Sequence, residues 1–397
     1  MTMSFKKPIY FDYSATTPVD PRVVEAMLPY FTENFGNPES TQHAYGWKAK
    51  SAIEKARAQV AKLIGGSTNE IVFTSGATES INLAIFGYVE GQEPGRHLIT
   101  SAAEHKATLE AFSRAEKLGH EVTILPVNRY GQVELETLKA AIRPNTVLVS
   151  LMHANNEVGS FNPIAEIGAW LKSQGETAFH VDAAQTVGKH PIDVKAMNID
   201  LLSLSAHKMY GPKGVGALFI NRQHIHLSPL VKGGGQERGL RGGTHNVPGI
   251  VGFGVASEIA LNEMPEESRR LASLRDRIIK AVVFPGSGIE LNGHPNDRLC
   301  NNVHLSFHVG ADDFLMALKD FAFSTASACS AGGESHVLKA MGASSSDPLF
   351  TSARFSLGRF TTDEEVDQLI ACLRRFIQKD QVISNGYVGG KNPQIRL

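Results

Sequence analysis

The sequence is poor in cysteine: Cys300, Cys329 and Cys372 are the only three in 397 residues. An odd, widely spaced set excludes a disulfide framework and a CxxC metal knuckle, so any cysteine that matters here matters as a thiol. Charge of one sign is also missing. The formal net charge of −1 gives no general pull toward nucleic acid or an anionic membrane, and neither is expected as a direct partner. No apolar run is long enough to span a bilayer, and Met1 to Pro8 contains no secretory h-region, so a cytoplasmic location is the expectation. The glycines at 233–243 lack the preceding strand of a dinucleotide fingerprint and the Lys-Ser/Thr pair of a P-loop. His224-Ile225-His226 has no third ligand near it, and no metal is expected.

What is present describes a well-packed chain, 42% apolar and 20% charged, long enough for two domains. Short apolar strands alternate with amphipathic helices from about residue 20 to 260. Asp20-Pro21 pairs an N-cap residue with Pro at the first helical position and predicts a helix running toward Phe31. Strands are expected at 71–74, 97–100, 122–126, 147–151, 178–181, 201–204 and 215–220. Such alternation implies an α/β architecture, a mostly parallel central sheet covered by helices on both faces. The last of these strands follows a short turn after Lys208, so an antiparallel direction is open to it. Residues 15–262 are read as a large domain, with the boundary inside a long helix of about 251–282. Residues 1–14 and 263–383 are read as a smaller α+β domain, and 384–397 as a flexible tail.

Ligands collect at the carboxyl ends of strands in open parallel sheets, so the residues just after each strand are the informative ones. Lys208, in Ser205-Ala206-His207-Lys208, sits beyond a buried strand with hydroxyl and imidazole neighbours. Desolvation there lowers the pKa of an amine, which Schiff-base chemistry at neutral pH requires. After the first strand, Ser75-Gly76-Ala77-Thr78 opens a helix whose free N–H groups suit a phosphate. His105 follows the second strand, Asn155-Asn156 a later one, and Asp182 ends the strand Ala178-Phe179-His180-Val181, with Gln185 just beyond. A carboxylate in such a place is costly unless a cation meets it. Carboxylate, lysine, imidazole and phosphate cradle together are the parts that pyridoxal 5′-phosphate needs.

The chain resembles the cysteine desulfurases of the NifS/IscS type, within the class-V aminotransferase-like, fold-type I pyridoxal phosphate enzymes. The resemblance runs from Tyr10-Phe11-Asp12-Tyr13-Ser14-Ala15-Thr16-Thr17 to about Phe376. It includes Thr74 to Ser80, Asn155 to Gly159, His180 to Gln185, Ala206-His207-Lys208 and Arg354 to Phe360. It implies that Lys208 carries the cofactor, Asp182 pairs with the pyridine nitrogen and His105 stacks on the ring. Gln185 and Asn156 would lie near the phenolic oxygen. Gly76, Ala77, Thr78, Ser205 and His207 would hold the phosphate, and Thr244 would reach the phosphate of a second subunit in a homodimer. The planar fork of Arg354 suits the carboxylate of an amino acid substrate, beside Asn156, with Arg359 the weaker choice.

Cys329 separates this family from its relatives. It lies in Ser324-Thr325-Ala326-Ser327-Ala328-Cys329-Ser330-Ala331-Gly332-Gly333, with no large side chain to anchor it. Such a stretch suits a thiol that carries sulfur from one place to another. Cys372 is read as core and Cys300 as structural. The reaction implied takes L-cysteine to L-alanine, with sulfur passing as a persulfide on Cys329 to an acceptor, such as an iron–sulfur scaffold protein or a tRNA-thiolation partner. A selenocysteine lyase, another aminotransferase-like enzyme on the same scaffold and an inactive docking scaffold are the alternatives.

Overall fold

The computed structural model describes residues 7–308, 311–325, 335–342 and 350–388. It begins with β1 (Ile9–Tyr10), α1 (Pro21–Met27), α2 (Pro29–Thr32) and α3 (Ala44–Leu63). The alternating part is β2 (Ile71–Thr74), α4 (Ala77–Val89), β3 (His97–Ser101), α5 (Lys106–Lys117), β4 (Glu121–Leu125), α6 (Leu135–Ala141), β5 (Thr146–Met152), α7 (Ile164–Gln174), β6 (Ala178–Asp182), β7 (Leu201–Ser205) and β8 (Gly216–Ile220). Then come α8 (Val247–Val282), β9 (Ile289–Leu291), β10 (Asn302–His308), α9 (Ala311–Ala317), β11 (Phe321–Ala322), β12 (Ser324–Thr325), α10 (His336–Ala340), β13 (Phe350–Ser356) and α11 (Asp363–Val388). Among the described residues no helix is long and apolar enough to cross a membrane.

Local chemistry sets the boundaries. Asp20 caps α1 by accepting from Arg22 N at 3.0 Å, with Pro21 in the first turn. The single helix expected toward Phe31 is instead two, because Pro29 has no N–H to extend the ladder and restarts the chain as α2. At the other end α11 runs past residue 384, where the sequence reading begins its tail. Propagation adds a backbone bond for each residue ordered, and no proline interrupts it before Pro393. Residues 389–397 lie outside the described residues.

Strands β2 to β8 form one sheet in the order β2-β8-β7-β6-β5-β3-β4. All are parallel except β8, which is antiparallel to both neighbours, as the short turn after Lys208 allows. β6, β7 and β8 are buried throughout; β8 is a continuous apolar run, while β6 and β7 interrupt theirs with His180, Asp182, Ser203 and Ser205, and β4 is a half-exposed edge. Helices α3 and α7 and the first part of α8 cover one face, while α4 and α5 cover the other. The α3–α8 contact is close enough that a Cβ on Gly254 would come within 2.6 Å of Ala56 Cα.

Residues of α8 up to Leu261 serve this first core, and those from Leu271 serve a second. The second core lies against an antiparallel sheet of order β12-β13-β10-β9 and includes Phe11, while β1 pairs parallel with β11. On this packing we retain 15–262 and 263–383 with 1–14 as the proposed domains. Cys300 and Cys372 are half-buried at the margin of the second core, and Cys372 Sγ donates to Ala317 O at 3.3 Å. Cys372 therefore belongs to the edge of the core rather than its centre, because α11 presents it beside the end of α9.

The Gly-rich stretch is held by a buried carboxylate. Glu237 accepts from Arg57 Nη1 at 2.7 Å and Nη2 at 2.9 Å, from Phe73 N at 2.9 Å and from His245 Nε2 at 2.7 Å. Burial alone would raise this carboxyl, but the His245 and Arg57 bonds outweigh it and hold it at about 2. The unfolded value is about 4.3. Its stabilisation is therefore complete above that pH and is lost as the pH falls through about 2. Glu237→Ala takes away the buried partner of Arg57, leaving it the exposed Glu54 at 3.2 Å and the Ile71 carbonyl at 3.0 Å, and is expected to lower the unfolding free energy by about 3 kcal/mol at neutral pH. Urea denaturation checks the value, and Glu237→Gln should flatten the acid side of the stability profile.

Candidate active site

Because parallel strands end at a common edge, the loops after β2, β3, β5, β6 and β7 converge. They enclose a cavity of about 450 Å³ lined by Gly76, Ala77, Thr78, His105, Asn156, Asp182, Gln185, Ser205, His207 and Lys208. Ten residues widely separated in the sequence thus share one space. Its wall also includes Thr16, Ser75, Met152, Lys213 and Gly214.

Asp182 closes β6. Burial pushes its carboxyl up, while an N–H from Ala184 at 2.9 Å and the charges of His105 and Lys208 pull it down. Among the described residues Ala184 N is the one hydrogen-bond donor to this carboxylate, so the wall holds a buried acid in want of a cation. Lys208 stands one turn beyond β7, on a short 3₁₀ segment, Ala206–Lys208. Its amine donates to Ser14 O and, at 2.7 Å, to Ala15 O. Burial, then the charges of Arg354 and Lys189, push this amine down to about 7, so a substantial share is neutral at physiological pH.

The segment that receives the amine is stitched to the lysine loop. Thr17 Oγ1 donates to His207 O at 3.0 Å and accepts from Tyr210 N at 2.9 Å. His207 Nδ1 lies 3.1 Å from Thr16 Oγ1, and burial followed by the Lys208 charge lowers this imidazole to about 4. His207 is therefore a neutral hydrogen-bonding group.

His105 is the N-cap of α5, its Nδ1 accepting from Ala107 N at 3.1 Å. Burial lowers its pKa against the pull of Asp182, which leaves a neutral ring with the proton on Nε2. Just before it, burial pushes the Glu104 carboxyl up to about 8 against bonds from Met152 N at 3.0 Å and Ser101 Oγ at 2.8 Å. Below the cavity floor, Ser150 Oγ, His180 and Ser203 Oγ form a polar chain across β5, β6 and β7, with contacts of 2.7 and 2.8 Å to the two ring nitrogens.

At the far end Gly76 has φ 154°, with nothing within 4 Å of where a Cβ would lie. No side chain caps the N-terminus of α4 here, so its first N–H groups open onto the cavity. On the opposite side, Gln185 Nε2 donates to Ser14 O at 3.0 Å while its Oε1 is buried without a partner.

Three features thus await an occupant of one kind. The helix N-terminus suits a phosphate, the Asp182 carboxylate a protonated ring nitrogen, and the Gln185 oxygen an N–H or O–H donor. Pyridoxal 5′-phosphate satisfies all three at once, and Lys208 supplies the amine for its aldehyde.

Three of the residues named from the sequence lie apart from the cavity, Arg354, Thr244 and Arg359. Arg354 Nη2 is paired with Asp12 and with Ser324 Oγ, each at 2.8 Å, and its Nη1 donates to Asn156 O at 2.8 Å. The guanidinium stands behind Asn156 rather than in the cavity wall, and its Nε is buried without a partner. Thr244 is exposed in the Gly-rich stretch and lines a smaller adjoining cleft with Ser75, Gly214, Glu237 and Arg241. Arg359 bonds Asp20 at 2.7 Å and Glu267 at 2.8 Å, a structural clasp between α1, α8 and the loop after β13. Cys329 lies outside the described residues.

Sequence reasoning assigned no role to the carbonyls of Ser14 and Ala15, to Thr16 or to Lys213. The first three lie in the Tyr10–Thr17 motif, whose only signal was its place in the resemblance.

A family model described as aminotransferase class-V matches residues 9–369. The chain is 51% identical over 387 residues to a cysteine desulfurase, IscS, of Anaeromyxobacter dehalogenans, covering 96% of this chain and 95% of that one. It is similar to the solved structure of a NifS-like protein, with a TM-score of 0.86, 39% identity, and coverage of 94% and 99% of the two chains. It is also similar to SspA in complex with cysteine, with a TM-score of 0.78, 40% identity, and coverage of 89% and 100%.

Proposed function

The chain belongs to the class-V aminotransferase family, and on that premise we propose that Lys208, Asp182 and His105 process L-cysteine and that Cys329 carries away its sulfur. The activity is that of a pyridoxal phosphate-dependent cysteine desulfurase. The observation that carries the residue roles is the convergence of a neutral-leaning lysine and a buried, cation-seeking aspartate in one cavity.

When bound, pyridoxal phosphate draws electrons from the substrate α-carbon. Asp182 would hold a proton on the ring nitrogen, and Gly76, Ala77 and Thr78 would hold the phosphate with main-chain N–H groups, assisted by Ser205 and His207. Lys208 Nζ leaves the Ser14 and Ala15 carbonyls to accept the α-proton of cysteine, which its lowered pKa permits at neutral pH. His105 Nε2 supplies the proton that the β-carbon takes as the C–S bond breaks toward carbon. Arg354, beside Asn156, exchanges part of its contact with Asp12 for the substrate carboxylate. The Cys329 thiolate attacks the substrate sulfur, an S–S bond forming as the C–S bond breaks with its electron pair left on the β-carbon, so that Cys329–SH and L-cysteine become Cys329–S–SH and L-alanine.

The unit proposed is a homodimer, in which Thr244 serves the neighbouring cavity. The exposed apolar side chains of Leu28, Phe31, Phe35, Tyr45 and Trp47 support such pairing. The persulfide then passes to an acceptor protein of iron–sulfur assembly or tRNA thiolation.

The deciding experiment adds L-cysteine to the wild-type enzyme and maps the adduct by mass spectrometry under non-reducing conditions. One extra sulfur on the peptide containing Cys329, with alanine formed alongside, is expected. Alanine formation with the extra sulfur on Cys300 or Cys372 instead would sink the assignment of Cys329.

A further inference from the structure

Lys189 has no part in the steps above, yet it is a deeply placed lysine, 6% exposed. It follows the turn after Asp182, where Gly188 at φ 74° lies so close to the lysine loop that a Cβ would meet Met209 Cβ at 3.0 Å. From this turn the Lys189 ammonium donates to the carbonyl of Lys208 at 2.8 Å and to that of Gln185 at 3.3 Å. Its own carbonyl accepts from Ser268 Oγ, on α8, at 2.7 Å. An ammonium taken out of water is costly unless its donors are used and its charge serves a purpose.

We propose that Lys189 is a positioning residue: its ammonium ties the backbone of Lys208 to that of Gln185, and its charge holds the Lys208 nitrogen toward the neutral state. This rests on the reading of Lys208 as the cofactor lysine. The charges facing Lys208 are Asp12 and Asp182, which favour its ammonium form, and Arg354 and Lys189, which oppose it. Arg354 is neutralised in part by Asp12 at 2.8 Å. Lys189 has no ion-pair partner among the described residues; Cys300 and Glu267 face it from the other side. Burial first, and those two groups against it, place the Lys189 amine at about 8, so it is mostly charged at neutral pH. His207, on the same loop, feels this charge as well. At neutral pH the ammonium thus places a positive charge against the backbone of the residue that must give up a proton.

The test uses the loaded enzyme. The visible band of bound pyridoxal phosphate, followed against pH, reports the proton on the nitrogen attached at Lys208. Lys189→Met is expected to raise the midpoint by about one pH unit, since removing a positive charge favours the protonated form. It should also speed loss of cofactor during gel filtration about tenfold, because two carbonyls lose their donor. Lys189→Arg, which keeps the charge, should stay near the wild-type midpoint. A folded Lys189→Met enzyme with unchanged midpoint and unchanged cofactor retention overturns the proposal.

If neither variant folds, acylation of amines in the wild-type enzyme decides. Lys189 should react at least about tenfold more slowly than the exposed Lys50, and equal rates overturn the tie. Lys208→Ala tests the cofactor reading separately. Cofactor still covalently attached to that variant would refute Lys208 as its anchor, whatever Lys189 does.

Discussion

Lys208→Ala is expected to lower the rate of alanine formation from L-cysteine by about 10⁴-fold, the upper range for loss of a positioned acid–base group. The substitution removes the amine that anchors the cofactor and the base that accepts the α-proton. No other lysine replaces it: Lys213 lines the same cavity from the far side of the Tyr210–Gly211–Pro212 turn, and Lys189 is tied to main-chain carbonyls. Removing the amine from the end of a short 3₁₀ segment deletes two hydrogen bonds to carbonyls at the cavity wall but also takes a desolvated amine out of the interior, so the fold should survive. The check is threefold: a steady-state alanine assay, the disappearance of the covalent cofactor band, and an unchanged unfolding midpoint. Activity within tenfold of wild type would remove Lys208 from the centre of the chemistry.

The second large effect belongs to Cys329→Ala, expected to lower persulfide delivery to an acceptor by at least about 10³-fold, as for loss of a nucleophile. The argument rests on the sequence around Cys329 and on the state of the other two thiols. Burial raises both Cys300 and Cys372 above the ordinary thiol value, although Lys189 in one case and Arg375 in the other work against it. Each stays a thiol at neutral pH, and a thiol is a poor nucleophile. Neither can stand in for the missing sulfur carrier. Cofactor binding should be unaffected, so the absorption band of Cys329→Ala should match wild type while sulfur transfer fails. Undiminished transfer by the variant would return the function to another thiol or to free sulfide.

The contrast between these residues shows what kind of feature each level of description carries. Lys208, Asp182, His105 and the Ser75–Thr78 turn were legible because each directly follows a buried strand, and in a parallel sheet strand ends share an edge. Periodicity alone gave the strands to within a residue or two, since β6 to β8 are buried on both faces and keep an apolar majority around His180, Asp182, Ser203 and Ser205. The split of α1 from α2 was missed even though its cause, Pro29, stands in plain view. The apolar pattern continues through it, while the backbone donor does not.

Arg354 and Lys189 mark the other limit. The sequence can say that a guanidinium suits a carboxylate, but not that Asp12, more than three hundred residues away, already occupies it. Lys189 looks like any lysine after a turn.

By itself, then, the order of residues determined which side chains stand at the mouths of the strands, and hence the class of cofactor and chemistry, because strand ends are set by local pattern. Tertiary packing decided which charges are neutralised, which oxygens are left without donors and which amine loses its proton. Those are properties of distance and desolvation between segments remote in the chain, and neither quantity exists until the chain has folded.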